Sequence, residues 1–521
     1  MVGPWLGFAA MCVGLFMAIL DVQIVGVALP RIARSLQTPL DELSWVQTAY
    51  LITESIGIAI SGRLTRALST RGLFVAATLG FAAASLGCGL ATSFGALIVL
   101  RTIQGLFAGA ITPTVFAAGY AMFSGSARAR AILVAGAVAM LAPSIGPFIG
   151  GYVTQTATWG WIFFINVPLG IAVAAVVARR IAIDRPDPRA WRSVDLPAFG
   201  ALALGLTALE TLLKLGPEDH WRSARAFGLL ALTLVSGWVF IVRCLRAREP
   251  LVDLGPLRDV AFAVACGLNF VVGAALFSSM YLLALFLGFV RFHTAFEIGV
   301  TMTVVGVAQL VAAPLASLVN GRLSTAWVAA FGFGLFAVGA LSNAFQTPTT
   351  DFAGLWLPQI ERGAALIFCL VPITQAALDL VPTAALANAS GLLNLLRNIG
   401  GAVGIGIVDT VINLRPPDIA RGLFEQLAHG SASAAAFVGI PKDLLAGVDP
   451  RTADPGDLAF IKPIVARAAA TIAFNEAWLI VAGIVGCSLL LVPLLSRRST
   501  LIEMRSPVER NSGDLSSVSS S

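Results

Sequence analysis

The chain has 521 residues, of which 57% are hydrophobic and only 12% are charged, and its mean hydropathy is +0.87. A soluble domain carries about twice that share of charged residues, so the composition excludes a soluble enzyme or binding protein. The net charge of +6 does not indicate nucleic-acid binding, because the basic residues are spread over short segments between apolar stretches.

Fourteen apolar stretches follow one another along almost the whole chain. A membrane-spanning helix needs about 20 apolar residues, and its backbone polar groups must be satisfied within the helix. The sequence therefore predicts an all-α integral membrane protein. The predicted spans are 5–29, 45–64, 73–91, 94–120, 131–153, 161–179, 194–214, 224–244, 260–288, 297–319, 326–344, 354–377, 388–413 and 476–496.

The longer connections divide these spans into groups of six, two and six. Segments 179–193 and 243–259 carry several basic residues and flank the seventh and eighth spans. Bundles of this kind form the two halves of repeat-built transporters, which bind substrate between them. The predicted regions are an N-terminal six-helix bundle over 1–180, two additional helices over 181–259 and a C-terminal six-helix bundle over 260–496.

The basic residues also predict an orientation. They are concentrated in alternate connections, as the positive-inside rule describes for cytoplasmic segments. We therefore expect a multi-pass membrane protein with both termini in the cytoplasm. The segment 414–475 is then a large external loop, either a docking surface or an unconstrained connector. The Ser-rich tail 497–521 is expected to be disordered and cytoplasmic.

Three charged residues lie at membrane depth in the first half, namely Asp21, Glu54 and Arg101. A charge at the bilayer centre costs at least about 2.5 kcal/mol, so such residues are candidates for function. A rise of 1.5 Å per residue places all three at similar depth, and a movement of Arg101 would change the proton affinity of a nearby carboxylate. We interpret them as proton-coupling residues; the alternative is a permanent structural ion pair. Glu210 and Asp409, near the ends of their spans, are expected to be solvated.

Polar residues of the second half are candidates for substrate binding. Glu361 is either a carboxylate that recognises cations or a charge neutralised locally by Arg362. Asn394 and Arg397 belong to a polar stripe on the thirteenth span. Glu361, Asn394 and Arg397, with Gln104 of the fourth span, are the predicted substrate-binding residues.

The chain lacks the constellations that an enzyme or a metal site would need. Its three histidines, His220, His293 and His429, all fall in predicted external segments, and its six cysteines have no metal-ligand spacing. It contains no Gly-rich phosphate loop ending in Lys-Ser/Thr, so ATP hydrolysis is not expected. We therefore expect no cofactor and no metal, and the charged residues at membrane depth suit coupling to a proton gradient.

The fifth span contains a dense motif of proline and glycine, Pro143-Ser-Ile-Gly146-Pro147-Phe-Ile-Gly150-Gly151. Small residues spaced by four let two helices approach closely. Pro147 removes one backbone hydrogen-bond donor and favours a kink. The motif predicts unusually tight helix packing at this point.

These motifs resemble the major facilitator superfamily, in particular its fourteen-helix drug/proton antiporters of the EmrB/QacA type, over nearly the whole chain. Leu20–Pro30, which contains Asp21, is similar to the acidic motif of the first helix. Arg101-x-x-Gln104-Gly105 resembles the fourth-helix arginine motif, and 143–151 the fifth-helix antiporter motif. The stretch 159–170, Trp-Gly-Trp-Ile-Phe-Phe-Ile-Asn-Val-Pro-Leu-Gly, is typical of this branch.

One loop departs from the superfamily pattern. The connection after the second span reads Gly62-Arg-Leu-Thr-Arg66-Ala-Leu-Ser-Thr-Arg71-Gly72. The superfamily usually has an acidic residue where Arg66 stands, although EmrB-like members share a basic one. The acidic residue that usually helps to close this cytoplasmic gate is therefore missing from the loop.

The resemblance implies a secondary active transporter of a bacterial inner membrane. It would be a proton-coupled antiporter that exports amphipathic or lipophilic compounds, a multidrug efflux protein working by alternating access. Asp21 and Arg101 would be the coupling pair, assisted by Glu54. A periplasmic adaptor and an outer-membrane channel are implied as partners, although a pump acting alone is also compatible. The alternatives are a dedicated exporter of a lipid, siderophore or endogenous metabolite, or a non-transporting membrane sensor.

Overall fold

The structure, a computed structural model, describes residues 2–187, 189–190, 195–218, 222–320, 322–382, 385–441 and 455–496. Over these residues the chain is helical and forms no β-strand, which confirms the predicted all-α class. The predicted disordered tail 497–521 lies outside the described residues.

The helices follow the apolar stretches, and polar side chains cap several of their first turns. Ser93 and Ser223 each accept a hydrogen bond from a backbone N–H of the helix that follows, and Asp259 accepts two. The α-helices of the described ranges are α1 (Val2–Leu36), α2 (Trp45–Leu90), α3 (Phe94–Met122), α4 (Gly125–Thr156), α5 (Trp161–Phe164), α6 (Asn166–Arg180), α7 (Leu196–Glu218), α8 (Ala224–Arg246), α9 (Val260–Leu285), α10 (Ala295–Asn320), α11 (Thr325–Ser342), α12 (Phe352–Asp379), α13 (Leu386–Leu414), α14 (Pro416–Ala428), α15 (Ala432–Val438) and α16 (Pro455–Ser488).

Thirteen segments of the described chain are long and apolar enough to cross a membrane. One of them contains the 46-residue α2, which at 1.5 Å per residue is about twice as long as a bilayer core is thick. The helix turns at Ser69, whose φ of 68° is not helical, so α2 holds two spans. The structure therefore agrees with the predicted fourteen spans.

Two six-span bundles form the body of the molecule. In the first, the two spans of α2 pack with α3 and α6, and α1 packs with α4 and α6. In the second, α9 packs with α13, α11 packs with α12 and α16, and α10 packs with α12. The bundles meet where α4 contacts α10, α2 contacts α13 and α1 contacts α9. The additional helices α7 and α8 pack against each other, and α7 also contacts both α2 and α13.

We call the side on which α1 begins the N-face and the side on which α1 ends the far face. Because fourteen spans alternate in direction, the end of α16 returns to the N-face. The two bundles are in contact at the far face, where Arg34 at the end of α1 donates a 2.8 Å hydrogen bond to the carbonyl oxygen of Gly288 after α9.

The segment 414–475 differs from the predicted external loop. Its described residues form α14, α15 and the first turns of α16, which begins at Pro455, well before the predicted start at 476. Lys462 and Arg467 made this stretch look like a connection, but the apolar residues around them pack on α14 and α15. The predicted boundary of the last span was therefore wrong.

Candidate functional site

Asp21 lies at the centre of a buried polar cluster in the first bundle. Its carboxylate accepts hydrogen bonds from Arg101 Nη1 at 2.5 Å, from Asn166 Nδ2 at 2.9 Å and from Gln104 Nε2 at 3.0 Å. Asp21 is 1% exposed and Arg101 and Gln104 are fully buried. The cluster joins α1, α3 and α6 inside one bundle, and its ion pair is shielded from water.

Arg101 has partners other than Asp21. Its Nη1 also donates to Gln104 Oε1 at 2.7 Å, and its Nε donates to the carbonyl oxygen of Val46 at 3.1 Å. The guanidinium carbon lies 4.1 Å from the ring centroid of Tyr50, a cation–π distance. These contacts hold the guanidinium in place on α2 and α3, independently of the charge on Asp21.

Sequence reasoning predicted Asp21 and Arg101 as neighbours and did not assign Asn166 or Ser85 to the cluster. Asn166 stands in the stretch 159–170 that is typical of the EmrB-like branch, and that position was the available signal. Ser85 Oγ accepts a 2.7 Å hydrogen bond from Gln104 Nε2. Nothing distinguishes Ser85 in the sequence from other small polar residues of apolar helices.

Glu54, the third predicted coupling residue, does not join this cluster directly. It lies within reach of the charges of Arg397, on α13, and of Arg101. It forms no ion pair within contact distance among the described residues. Glu54 thus faces the second bundle, where Arg397 donates a 2.5 Å hydrogen bond to Asn394.

A cavity of about 390 Å³ lies between the bundles in the N-face half of the molecule. Most of its walls are apolar, and its lining comes from both bundles, for instance from Phe116 of α3 and Leu370 of α12. Of the predicted substrate-binding residues, Asn394 and Arg397 line it, and Arg397 is the one charged side chain among its described lining residues. The cavity is suited to an amphipathic molecule of drug size.

The other two predicted substrate-binding residues lie elsewhere. Gln104 belongs to the Asp21 cluster. Glu361 lies on the side of α12 towards α11, where Ser342 Oγ is 3.4 Å from its carboxylate. The neighbouring Arg362 is 2% exposed and its guanidinium lies 4.7 Å from the ring centroid of Trp478, so Arg362 does not neutralise Glu361 by direct contact.

The glycine motif of α4 contacts two helices at once. A Cβ atom on Gly150 would lie 2.9 Å from the Cα of Ile24 in α1, and one on Gly151 would lie 2.6 Å from the carbonyl oxygen of Ala295 in α10. Both distances are shorter than real Cβ contacts. The paired glycines therefore let α4 touch its own bundle on one side and the opposite bundle on the other.

The loop that departs from the superfamily pattern has an acidic partner from another part of the chain. Arg63 forms an ion pair with Glu249, in the linker between α8 and α9, and Arg66 lies 3.6 Å from the same carboxylate. The hydrogen bond from Arg63 lowers the pKa of Glu249. An acidic group is thus present at this N-face position, supplied by the linker and not by the loop itself.

Two carboxylates that were expected to be solvated are buried. Asp409 is 3% exposed and Glu210 is 1% exposed. Asp409 forms an ion pair with Lys214 and accepts a hydrogen bond from Tyr281 at 2.5 Å. The prediction of solvation was wrong because the partners come from helices far apart in the sequence.

Comparisons with known proteins agree with this architecture. Residues 11–405 match the Major Facilitator Superfamily. The chain belongs to the major facilitator superfamily. The colistin resistance protein EmrB of Acinetobacter baumannii is 34% identical over 410 residues, which cover 78% of this chain and 80% of that protein. The multidrug export protein EmrB of Escherichia coli K12 is 30% identical over 404 residues, covering 77% and 79%.

A solved structure extends the fold comparison. A bacterial homologue of the human lysosomal transporter Spinster, in an inward-facing and occupied conformation, matches with a TM-score of 0.59 at 15% identity, covering 94% of this chain and 96% of that one. The likeness at this identity concerns the fold alone. Family membership makes this major facilitator a multi-pass membrane transporter of the EmrB type, and not an enzyme.

Proposed function

We propose that this transporter exports amphipathic or lipophilic compounds in exchange for protons by alternating access between its two bundles. The observation that carries the proposal is the Asp21 carboxylate, buried and bonded to Arg101 on another helix. When one charge of a buried ion pair is lost, the other charge stays buried without its partner, which is energetically costly. Protonation of Asp21 therefore changes the packing of α1 against α3.

The partners of Arg101 support a reversible step. When Asp21 takes up a proton, the guanidinium keeps Gln104, the Val46 carbonyl and the Tyr50 ring as partners. α1 is then free to shift relative to α2 and α3. Since α1 also contacts α4 and α9, this shift reaches the contacts between the bundles. Glu54, facing Arg397 across the bundles, is proposed to assist.

The cavity is the proposed substrate site. Its apolar walls suit a lipophilic body, and Asn394 and Arg397 offer polar contacts for a head group. The contact of Glu361 with Ser342 favours a local role for that carboxylate. The names of the two EmrB relatives, which refer to colistin resistance and multidrug export, support export as the direction of transport.

The proposed orientation has the N-face in the cytoplasm of a bacterial inner membrane, because the basic connections lie on that face. The cavity then faces the cytoplasm. A periplasmic adaptor and an outer-membrane channel are proposed as partners through the likeness to EmrB proteins. Labelling of single cysteines from each side of the membrane tests the orientation, and co-purification from the native membrane tests the partners.

The test of exchange uses energised inside-out vesicles and follows internal acidity while lipophilic compounds are added. We expect compound-dependent proton release with the unchanged protein and its complete loss with Asp21→Asn. Asp379→Asn, at the exposed end of α12, is the matched control and should behave like the unchanged protein. No response from the unchanged protein to any of the compounds would favour a dedicated exporter of a lipid, siderophore or metabolite.

A further inference from the structure

The two additional helices contribute charged residues to the contact between the bundles at the far face. Lys214, on α7, forms an ion pair with Asp409 of α13 and also donates to the carbonyl oxygen of Asp41, which precedes α2. Asp409 belongs to the second bundle and Asp41 to the first. The Lys214 ammonium therefore bridges both halves from a third element.

Asp409 has further partners in both halves. It accepts a 3.1 Å hydrogen bond from Ser44 Oγ at the start of α2 and a 2.5 Å hydrogen bond from Tyr281 of α9. Ser44 and Tyr281 are fully buried. If the far face opens, the start of α2 must leave the end of α13, so the contacts of Asp409 with Ser44 and of Lys214 with Asp41 and Asp409 cannot all persist.

A second carboxylate is positioned to receive the ammonium. Glu210 lies four residues before Lys214 on α7, the spacing and order at which an acidic and a basic side chain meet on a helix. Its side chain is 1% exposed and lies against Thr48, and its Oε1 has no hydrogen-bond partner among the described residues. A buried oxygen without a partner is costly unless another state of the protein supplies one.

We infer that Lys214 is a positioning residue of transport: its ammonium holds the far face closed through Asp409 and passes to Glu210 when the bundles separate there. The inference rests on the alternating-access part of the proposed function. It gives α7 an active role, because the first additional helix carries both the ion pair of the closed state and the alternative partner of the open state. A cavity of about 320 Å³ adjoins the ion pair of the closed state and is lined by Lys214, Asp409 and Asp41.

The test measures the separation of the bundles at the far face, without substrate. Spin labels are placed at Thr92→Cys, before α3, and Thr349→Cys, before α12, both exposed, in a Cys487→Ser background because Cys487 is itself exposed. Distances are read by double electron–electron resonance in lipid nanodiscs. Lys214→Gln should raise the ratio of far-face-open to far-face-closed molecules about ten-fold, a typical size for a conformational coupling.

Further variants separate a latch from a general structural role. Glu210→Gln should act in the opposite sense and lower the open fraction, because it removes the partner of the open state. Lys214→Arg should stay close to the unchanged protein. The exchange Lys214→Asp with Asp409→Lys restores the ion pair between α7 and α13 but not the hydrogen bond to the Asp41 carbonyl oxygen, so it should recover part of the closed fraction. It carries the test if Lys214→Gln does not accumulate. The matched control is Arg415→Gln, which removes an ion pair with Glu476 inside the second bundle and should change nothing.

The outcomes distinguish this inference from the proposed function. Unchanged distances in Lys214→Gln and in the charge exchange, with a lengthening caused by Asp21→Asn or an added compound, would overturn the latch and leave alternating access standing. Distances that no variant and no compound changes would overturn both. A shift in Lys214→Gln without any compound-dependent proton release would support the latch and count against drug/proton exchange.

Discussion

Helices α3 and α12, at corresponding places in the two bundles, carry an arginine, a glutamine and a glycine at the same spacing, but the arginine and the glutamine have exchanged places. In α3 the order is Arg101, Gln104 and Gly105, and in α12 it is Gln359, Arg362 and Gly363. Both arginines are buried. Only Arg101 is paired with a carboxylate among the described residues.

Arg362 has a different environment. Its guanidinium lies over the ring of Trp478, and its Nε and Nη1 have no hydrogen-bond partner among the described residues. Gln359, whose position on α12 corresponds to that of Arg101 on α3, donates a 3.3 Å hydrogen bond to Asn343. Arg101 instead contacts Asp21. Among the described residues, Arg362 of the second bundle therefore lacks the paired carboxylate that a proton could neutralise in the first bundle. Proton coupling, as proposed, therefore belongs to one half of a repeated architecture.

The largest effect is expected from Arg101→Met. It leaves the Asp21 carboxylate buried without its cation, which costs about 3–5 kcal/mol of folded-state stability. Protonation of Asp21 then breaks no ion pair between α1 and α3, so we expect exchange to fall by about 100-fold or more, the equivalent of about 3 kcal/mol in the barrier. Compound-driven proton release in inside-out vesicles measures it. Exchange within a few-fold of the unchanged protein would show that the ion pair is structural and not part of coupling.

A smaller effect is expected when one amide is removed from each bundle. Asn166→Ala deletes a donor to Asp21, and a hydrogen bond to a charged group contributes about 1.5–3 kcal/mol, so exchange should fall by about ten-fold. Asn343→Ala deletes the partner of Gln359 and should leave exchange near its original rate. Equal losses in both variants, measured in the same vesicles, would contradict the asymmetry.

The smallest effect on transport is expected from Arg362→Met, the same substitution in the second bundle. Replacing a buried charge that has no carboxylate partner by an apolar side chain should be neutral or stabilising, because the cost of keeping that charge away from water disappears. A methionine would also pack on the Trp478 ring. Thermal unfolding in detergent should therefore shift upwards while exchange changes less than about two-fold. A loss of exchange comparable to that of Arg101→Met would assign Arg362 a part in the transport cycle.

The sequence predicted the fold well because apolar length and charge at membrane depth are local properties. The fourteen spans and the neighbourhood of Asp21 and Arg101 followed from them. Burial of Asp409 and Glu210 did not, because it depends on α7 lying against α2 and α13, which no spacing reveals. The start of α16 was missed for a similar reason. Its charged residues look like a connection until α14 and α15 cover the surrounding apolar surface.

The acidic partner of Arg63 shows the same limit. The loop itself lacks an acidic residue, and Glu249 lies 186 residues away in the chain. The sequence of the loop shows that the acidic residue is missing, but it cannot show that Glu249 replaces it.

The inserted segment 181–259 therefore supplies a charged partner at each face of the transporter. Lys214 pairs with Asp409 at the far face, and Glu249 pairs with Arg63 at the N-face. Both Asp409 and Arg63 are almost fully buried. Excision of residues 181–259 would keep two complete six-span bundles. It would leave Asp409 without the ammonium of Lys214 at the far face and Arg63 without the carboxylate of Glu249 at the N-face. A twelve-helix version of this transporter would need compensating substitutions at Asp409 and at Arg63. The inserted segment is therefore part of the charge balance of both bundles and cannot simply be removed.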